Sequence, residues 1–243
     1  KETNCFRLIN AEGDELPGLI VDYYNGLIVM QCHSIGMYKT REFIVNSLLK
    51  LLGNKIHTIF DKSESTLPLK DIKNEFLYGN KSEIEVLENG IKFFINIIDG
   101  QKTGFFLDQR DNRLLLTKYC AEKNVLNTFC YSGAFSIYAL KHNANLVHSV
   151  DISEKAIKWA KKNFLLNDLS ESNHEEFVND VFDFLDNPPC EYDLIILDPP
   201  AFAKHQDALH NALQGYKRIN QKALQIIKTG GILMTFSCSQ VVS

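Results

Sequence analysis

Residues 125–135 read Val-Leu-Asn-Thr-Phe-Cys-Tyr-Ser-Gly-Ala-Phe, and residues 146–153 read Leu-Val-His-Ser-Val-Asp-Ile-Ser. Each stretch opens as a short apolar strand, ends in a polar residue and turns into a helical pattern. Gly133 marks the first turn, with a helix expected to run to Leu140. Ser153 is placed to cap a second helix, in which Ala156, Ile157, Ala160 and Phe164 form an inward stripe. The alternation continues with a strand at 177–179, a short helix at 182–185 and a strand at 194–198. A helix at 214–228, ended by Gly230-Gly231, then leads to a strand at 232–236. The run at 194–197 is continuously apolar, as in a strand covered on both faces. Repeated β-α-β units predict a doubly wound, mostly parallel sheet of the Rossmann-like α/β class.

Upstream the rhythm is different. Apolar runs at 19–22 and 27–32 flank Tyr23-Tyr24-Asn25-Gly26, and Asn-Gly is a strong hairpin signal. A second hairpin is expected at 83–86 and 91–97, turning at Asn89-Gly90. A helix is expected over 39–52, with Phe43, Ile44, Leu48, Leu51 and Leu52 at helical spacing and Gly53 as its stop. Residues 56–61 read as a strand, and 67–80 as a connecting loop. The expected organisation is a small hairpin-rich α+β domain over residues 1–98, followed by the α/β core over 99–243. Residues 240–243 follow directly on the last strand, where such a fold normally continues, so the chain is expected to be a fragment.

With 243 residues, 45% hydrophobic and 23% charged, the composition is that of a globular protein and excludes disordered and fibrous classes. There is no stretch of 18 apolar residues and no apolar leader after Lys1, so a soluble, cytoplasmic protein without a membrane is expected. A net charge of −4 disfavours tight, unaided binding to nucleic acid, but leaves room for an enzyme gripping it elsewhere. The cysteines Cys5, Cys32, Cys120, Cys130, Cys190 and Cys238 have no metal-ligand spacing and read as reduced thiols; no metal is expected. His142, His148, His174, His205 and His210 likewise read as surface or internally satisfied residues. The oligomeric state is not legible, and a homodimer is compatible with the sequence.

Ligands of a doubly wound sheet bind beyond the carboxyl ends of its strands. Those ends carry Asn127-Thr128-Phe129, Asp151, Asp180, Asp198-Pro199-Pro200 and Ser237-Cys238-Ser239. Asp151 is placed for the two hydroxyls of a ribose and Asp180 for the exocyclic amine of an adenine, with Ile152 and Val181 following them. The bland alternative is that these acids merely cap the next helices. A dinucleotide needs several glycines so that backbone can approach its pyrophosphate. Here Gly133 stands alone, crowded by Phe129, Tyr131 and Phe135, with Ser132 and Ala134 completing the turn. S-adenosylmethionine, which has no phosphate, fits better. An acidic-Pro-Pro turn then suits a flat nucleobase held near the methyl group.

The segment Gly100-Gln101-Lys102-Thr103-Gly104-Phe105-Phe106-Leu107-Asp108-Gln109-Arg110-Asp111-Asn112-Arg113 resembles the opening motif of the bacterial 23S ribosomal RNA large-subunit methyltransferases of the cytosine carbon-5 type. Residues 127–135, Asp198-Pro199-Pro200-Ala201-Phe202-Ala203-Lys204 and Ser237-Cys238-Ser239 agree in order and spacing, and residues 8–22 resemble that family's central β-rich domain. The resemblance covers nearly the whole chain. It implies a class I methyltransferase core, S-adenosylmethionine as cofactor, large-subunit ribosomal RNA as substrate, and an N-terminal PUA domain to which nothing here corresponds. Asn127 stands where many methyltransferases carry an acid near the cofactor's methionine end.

The resemblance and the chemistry assign roles. Cytosine carbon 5 is too weak a nucleophile to attack a sulfonium methyl directly. A Cys238 thiolate adding to carbon 6 would activate it; an inert packed cysteine is the alternative. Asp198 would hydrogen-bond the ring edge, with Pro199, Pro200, Phe202 and Lys204 around the base. Core packing for Phe202 and a solvated position for Lys204 are the plain alternatives. Lys102, Phe105, Gln109 and Arg110 would close over the methionine end of the cofactor, with Arg110 facing its carboxylate; a polar surface turn is the alternative. Cys130 competes with Cys238 as nucleophile. Lys155, Lys158 and Lys162 form a basic helix face that reads as solvated. Two rival functions are nitrogen methylation of an RNA base on the same fold, and a non-catalytic RNA-binding or ribosome-assembly protein keeping a relic pocket.

Overall fold

The computed structural model describes residues 2–68, 71–169, 171–202 and 209–238. Lys204, with Ala203, His205, Ser239 and residues 240–243, lies outside the described residues. The chain divides into two compact units, Lys1–Arg110 and Asp111–Ser243. The division falls later than the boundary expected after residue 98, because the segment from Gly100 packs within the first unit. Phe105 is buried and its ring lies 5.0 Å from that of Phe93. The Arg110 guanidinium pairs with Glu88 at 3.2 Å and also donates to the Cys5 carbonyl.

In the first unit, β1 (Cys5–Asn10), β2 (Leu19–Tyr24), β3 (Leu27–Cys32), β4 (Thr58–Asp61) and β5 (Glu75–Tyr78) form one sheet in that order. Only β3 and β4 pair in parallel, joined by α1 (Ile35–Lys39) and α2 (Arg41–Leu52). A separate hairpin is made of β6 (Glu83–Glu88) and β7 (Ile91–Asn96). Both hairpin turns use the Asn-Gly pairs, with φ of 48° and 93° at Asn25 and Gly26 and 52° and 82° at Asn89 and Gly90. Two left-handed residues in succession match the right-handed twist of the flanking strands.

Two expectations for this unit need correction. The helix expected over 39–52 is α2, and a separate short helix, α1, precedes it; the two part at Thr40, whose hydroxyl donates back to the carbonyls of Gly36 and Met37. The inward face of α2 is set by Val45 and Leu48, while Phe43 and Leu51 are 75% and 80% exposed. Leucines and phenylalanines on adjacent helical rows could not be sorted by spacing alone. The stretch 67–80 is not all loop, since it contains β5. This edge strand is largely exposed and lacks an alternating apolar signal, although Phe76 packs on Phe60 at 4.8 Å.

The second unit holds β8 (Asn124–Thr128), α4 (Ala134–Lys141), β9 (Leu146–Asp151), α5 (Glu154–Leu166), β10 (His174–Val178), α6 (Val181–Asp186), β11 (Tyr192–Leu197), α7 (Leu209–Ile226) and β12 (Ile227–Thr235). α3 (Arg110–Leu116) begins at the last residue of the first unit and opens the second. The strands order as β10-β9-β8-β11-β12, all parallel, which is the doubly wound α/β arrangement expected. Leu126, Val150, Ile195 and Leu197 pack with Val181, Phe184, Leu185, Ile219 and Ala223 of α6 and α7. Their strand neighbours point to the opposite face, where Asn127 meets Ser136 of α4. The last helix runs earlier than 214–228, and the Gly230-Gly231 pair lies within β12. There the register against β11 jumps between Tyr192↔Ile227 and Leu194↔Ile232, and the glycines accommodate the irregularity.

Gly133 precedes α4 with φ of 76°, and a Cβ there would stand 3.0 Å from Ala160 Cβ of α5. Both the left-handed backbone and the close helix approach require glycine. Gly133→Ala is expected to lower unfolding stability by about 1–2 kcal/mol from the backbone alone, read as a lower denaturant midpoint with unchanged slope.

Candidate cofactor and base site

The strand order reverses between β8 and β11, so the crevice beyond their carboxyl ends is the topological switch point. The chain leaves β8 through Phe129 and Tyr131, which adopt φ of 52° and 48°, followed by Gly133. Left-handed backbone at two aromatic residues is strained and persists only where neighbours hold it. The restraints are visible. Cys130 N–H donates to the Val150 carbonyl at 3.0 Å, Tyr131 N–H to Asp151 Oδ2 at 2.9 Å, and Gly133 N–H to the Cys130 carbonyl at 2.8 Å. Asn163 Nδ2 of α5 donates to the Ser132 carbonyl at 2.9 Å. The Ser132 hydroxyl is buried and has no hydrogen-bond partner among the described residues. An orphaned buried polar group costs about 1–3 kcal/mol, which a polar ligand reaching the loop would offset. The loop therefore fits a group with hydrogen-bonding capacity.

Asp151 divides its bonds, Oδ2 accepting from Tyr131 and Oδ1 from Ser153 N–H at 2.9 Å. A carboxylate has about four lone-pair positions, so two bonds leave capacity for ribose hydroxyls. Asp180 does cap α6, with Oδ1 accepting from Phe182 and Asp183 N–H at 2.8 and 3.3 Å. Both bonds fall on one oxygen. Ile152 is 70% exposed beside Asp151, whereas Val181 is buried in the core. Asn127 is buried, and its Nδ2 donates to Ser136 Oγ at 2.8 Å. Ala134 and Phe135 begin α4 as buried residues, and the Phe135 ring stacks on Phe236 at 5.8 Å.

At the neighbouring strand ends, Pro199 is buried and Pro200 exposed, with Asp198 between these extremes. Cys238 is exposed, and its Sγ donates to the Pro199 carbonyl at 3.3 Å. The thiol and the Asp198-Pro199-Pro200 turn thus share one rim. Phe202 lies 4.7 Å from the Tyr216 ring of α7, edge to face, and joins the core on that side. Cys130 behaves differently from Cys238. It is buried, and burial pushes its thiol well above the ordinary cysteine range.

The remaining candidates lie in the first unit and have partners there. Lys102 Nζ donates to Asp108 at 2.7 Å and sits 4.5 Å above the Phe106 ring. Arg110 is held by Glu88 and the Cys5 carbonyl, so taking up a carboxylate would require it to exchange partners. Gln109 closes a short 3-10 turn, its N–H donating to the Phe106 carbonyl at 3.2 Å. Spacing gave no sign of Lys62, which donates to the Ile97 and Gly100 carbonyls at 2.7 and 2.6 Å and fastens the start of this segment. Asn163 was also missed, although a polar residue within the inward stripe of α5 is a readable signal. Lys155, Lys158 and Lys162 are exposed, as expected. Among the described residues no group of acids, histidines and cysteines could hold a metal, and no helix is long and apolar enough to cross a membrane.

Two outcomes follow from these environments. Under native conditions Cys238 is expected to be alkylated first and Cys130 to resist until the protein unfolds; equal rates in a mass-resolved time course would contradict the assignment. Burial lowers Lys62 from 10.5 to about 8. Its folded value lies below its unfolded one, so the unfolded chain holds the extra proton between the two. The cost of burying the charged amine is present below about pH 8 and is relieved as pH rises toward 10.5. Wild type should therefore gain stability relative to Lys62→Met between pH 7.5 and about 10, measured by denaturant unfolding.

Residues 68–242 match the family model described as S-adenosylmethionine-dependent methyltransferase. Proteins named ribosomal RNA large subunit methyltransferase I are 42% identical over 96% of this chain in Pseudoalteromonas atlantica and 40% identical over 96% in Shewanella denitrificans. The chain spans 60% of the length of each of these curated relatives. The crystal structure of SMU.776 complexed with SAH superposes with a TM-score of 0.83 at 29% identity, covering 96% of this chain and 61% of that one. A tRNA m1G37 methyltransferase from M. jannaschii superposes at 0.66 with 25% identity, covering 90% of this chain and 62% of that one. With most of its length matched by the family model, and the parallel sheet and strand-end loop that such a match requires, this chain belongs to the S-adenosylmethionine-dependent methyltransferase family.

Proposed function

We propose that this chain carries out methyl transfer from S-adenosylmethionine to large-subunit ribosomal RNA in the cytoplasm, at carbon 5 of a cytosine, through a covalent adduct with Cys238. The observation that carries the carbon-5 reading is the exposed Cys238 thiol 3.3 Å from the Pro199 carbonyl, on the same rim as Asp198. The relatives named for large-subunit ribosomal RNA support the substrate class.

Asp151 takes the ribose hydroxyls with the lone pairs left on the oxygens that hold Tyr131 and Ser153, Asp180 takes the adenine amine, and the Ser132 hydroxyl gains a partner. When bound, the cofactor supplies an electrophilic methyl group. The chain's own task is to make carbon 5 nucleophilic. The Cys238 thiolate gives its electron pair to carbon 6, forming a carbon–sulfur bond and raising electron density at carbon 5. Asp198 hydrogen-bonds the ring edge and holds a proton on the ring as the thiolate adds. Pro199 and Pro200 fix that carboxylate on a turn with little freedom. Once carbon 5 carries its methyl group, a base removes the carbon-5 proton. The released electron pair restores the ring double bond and expels the thiolate.

A second reading, methylation of a ring or exocyclic nitrogen, is favoured by the likeness to the tRNA m1G37 methyltransferase. Asp198-Pro199-Pro200 would then bind the nitrogen, and Cys238 would stand idle. Cys238→Ala separates the two. The carbon-5 reading expects methylation of ribosomal RNA to fall by about 10³-fold or more, with cofactor binding by calorimetry unchanged. It also expects wild type to form a mass-detectable adduct with RNA carrying 5-fluorocytosine, whose fluorine cannot leave as a proton does. Full activity of the alanine variant would exclude the adduct.

A further inference from the structure

Four polar side chains cross the second unit beneath the cofactor loop. Asn127 Nδ2 on β8 lies 2.8 Å from Ser136 Oγ on α4, which lies 2.6 Å from Ser149 Oγ on β9, which lies 3.0 Å from His174 Nε2 on β10. Ser136 and Ser149 are fully buried, and the His174 side chain is 5% exposed. Each hydroxyl here can donate or accept, so the chain can satisfy itself in either of two directions, and its ends must choose. At the far end, His174 Nδ1 faces Glu176 Oε1 at 3.7 Å. A carboxylate beside one ring nitrogen favours the proton on that nitrogen and leaves the other as an acceptor.

We infer that His174 is a positioning residue which, through Ser149 and Ser136, fixes the orientation of the Asn127 amide and turns its carbonyl toward the ammonium of the bound cofactor. With the His174 proton on Nδ1, Nε2 accepts from Ser149, Ser149 accepts from Ser136, and Ser136 accepts from the Asn127 amide. Asn127 therefore spends its NH₂ group on the interior, and Oδ1 is the atom left for a cation. In the opposite direction the amide would aim its own N–H at the ammonium and repel it. An acid at this position needs no orienting, because both its oxygens accept; an amide does. This accounts for a buried histidine two strands from the one that leads into the loop, kept neutral chiefly by burial, which lowers it to about 3. The inference about the cofactor rests on the reading of the loop given above, whereas the direction of the chain does not.

Nitrogen-15 spectra of the histidine rings in the full chain read the direction. Wild-type His174 is expected as the Nδ1–H tautomer. In Asn127→Asp the carboxylate cannot donate to Ser136, so the chain must reverse and His174 shift to Nε2–H. Adding Ser136→Ala to that variant cuts the chain and should abolish the shift. Nε2–H in wild type, which needs no variant to fold, would overturn the inference outright.

Binding then reads the consequence. Ser136→Ala should weaken S-adenosylhomocysteine by about tenfold, the scale of one hydrogen bond to a charged group, and raise KM for the cofactor with kcat unchanged. His174→Gln, whose amide oxygen can accept from Ser149, should restore most of the affinity lost in His174→Leu. If wild type binds and Ser136→Ala binds equally well, the chain is structural only and the inference fails. If wild type itself does not bind, the reading of the loop fails instead, and the tautomer measurements still decide the direction of the chain.

Discussion

The Asp151 carboxylate ties two backbones together at the end of β9, and the ligand-facing side of the second unit depends on it. One oxygen accepts from Tyr131 in the loop after β8, and the other from Ser153 at the start of α5. Two residues of that loop are left-handed without being glycine, a conformation costing of order 1–3 kcal/mol each. The strained loop is kept by charge-assisted bonds of this kind, together with Asn163 on the Ser132 carbonyl. The same acid that would receive a ribose thus shapes the turn that the ribose would lie against.

The parallel sheet supplies the second constraint. Because β11 and β12 pair with Leu197 opposite Thr235, their carboxyl ends lie level, and Phe236 N–H still donates to the Leu197 carbonyl at 2.8 Å. The residues that follow, Asp198-Pro199-Pro200 and Cys238, therefore emerge side by side. Nothing in their separation along the chain brings them together; the strand register does. The buried Cys130 shows the contrast. It belongs to the loop itself, but its thiol is buried there with Sγ directed at the Tyr131 carbonyl at 3.8 Å, and burial strongly disfavours the thiolate.

Beneath the loop the unit contains more polar structure than a sheet interior usually does. The run from Asn127 to His174 places an amide, two hydroxyls and an imidazole among apolar neighbours, each bonded to the next. Such a network rigidifies its surroundings when every member is satisfied. His148, on the face opposite Ser149, is satisfied separately by the Tyr192 hydroxyl at 2.8 Å. In the first unit Lys62 performs a comparable task, clamping two carbonyls where the segment carrying Lys102, Gln109 and Arg110 begins.

The sequence by itself determined the strand–helix alternation of the second unit, both Asn-Gly hairpins, the Ser153 cap and the polar residues that end each strand. These are local: period, turn chemistry and capping act over a few neighbouring residues. It did not determine which of Phe43, Val45 and Leu51 faces inward, that β5 pairs at an edge, or that Arg110 is held by Glu88. Nor could it reveal that Ser136, Ser149 and His174 join Asn127 in one line. Those outcomes depend on which surfaces meet when distant segments pack, and a hydroxyl or imidazole carries no mark in the sequence of the partner that packing will give it. The polar residues at the strand ends were legible because strands must end; their hydrogen bonds were decided only by the tertiary structure.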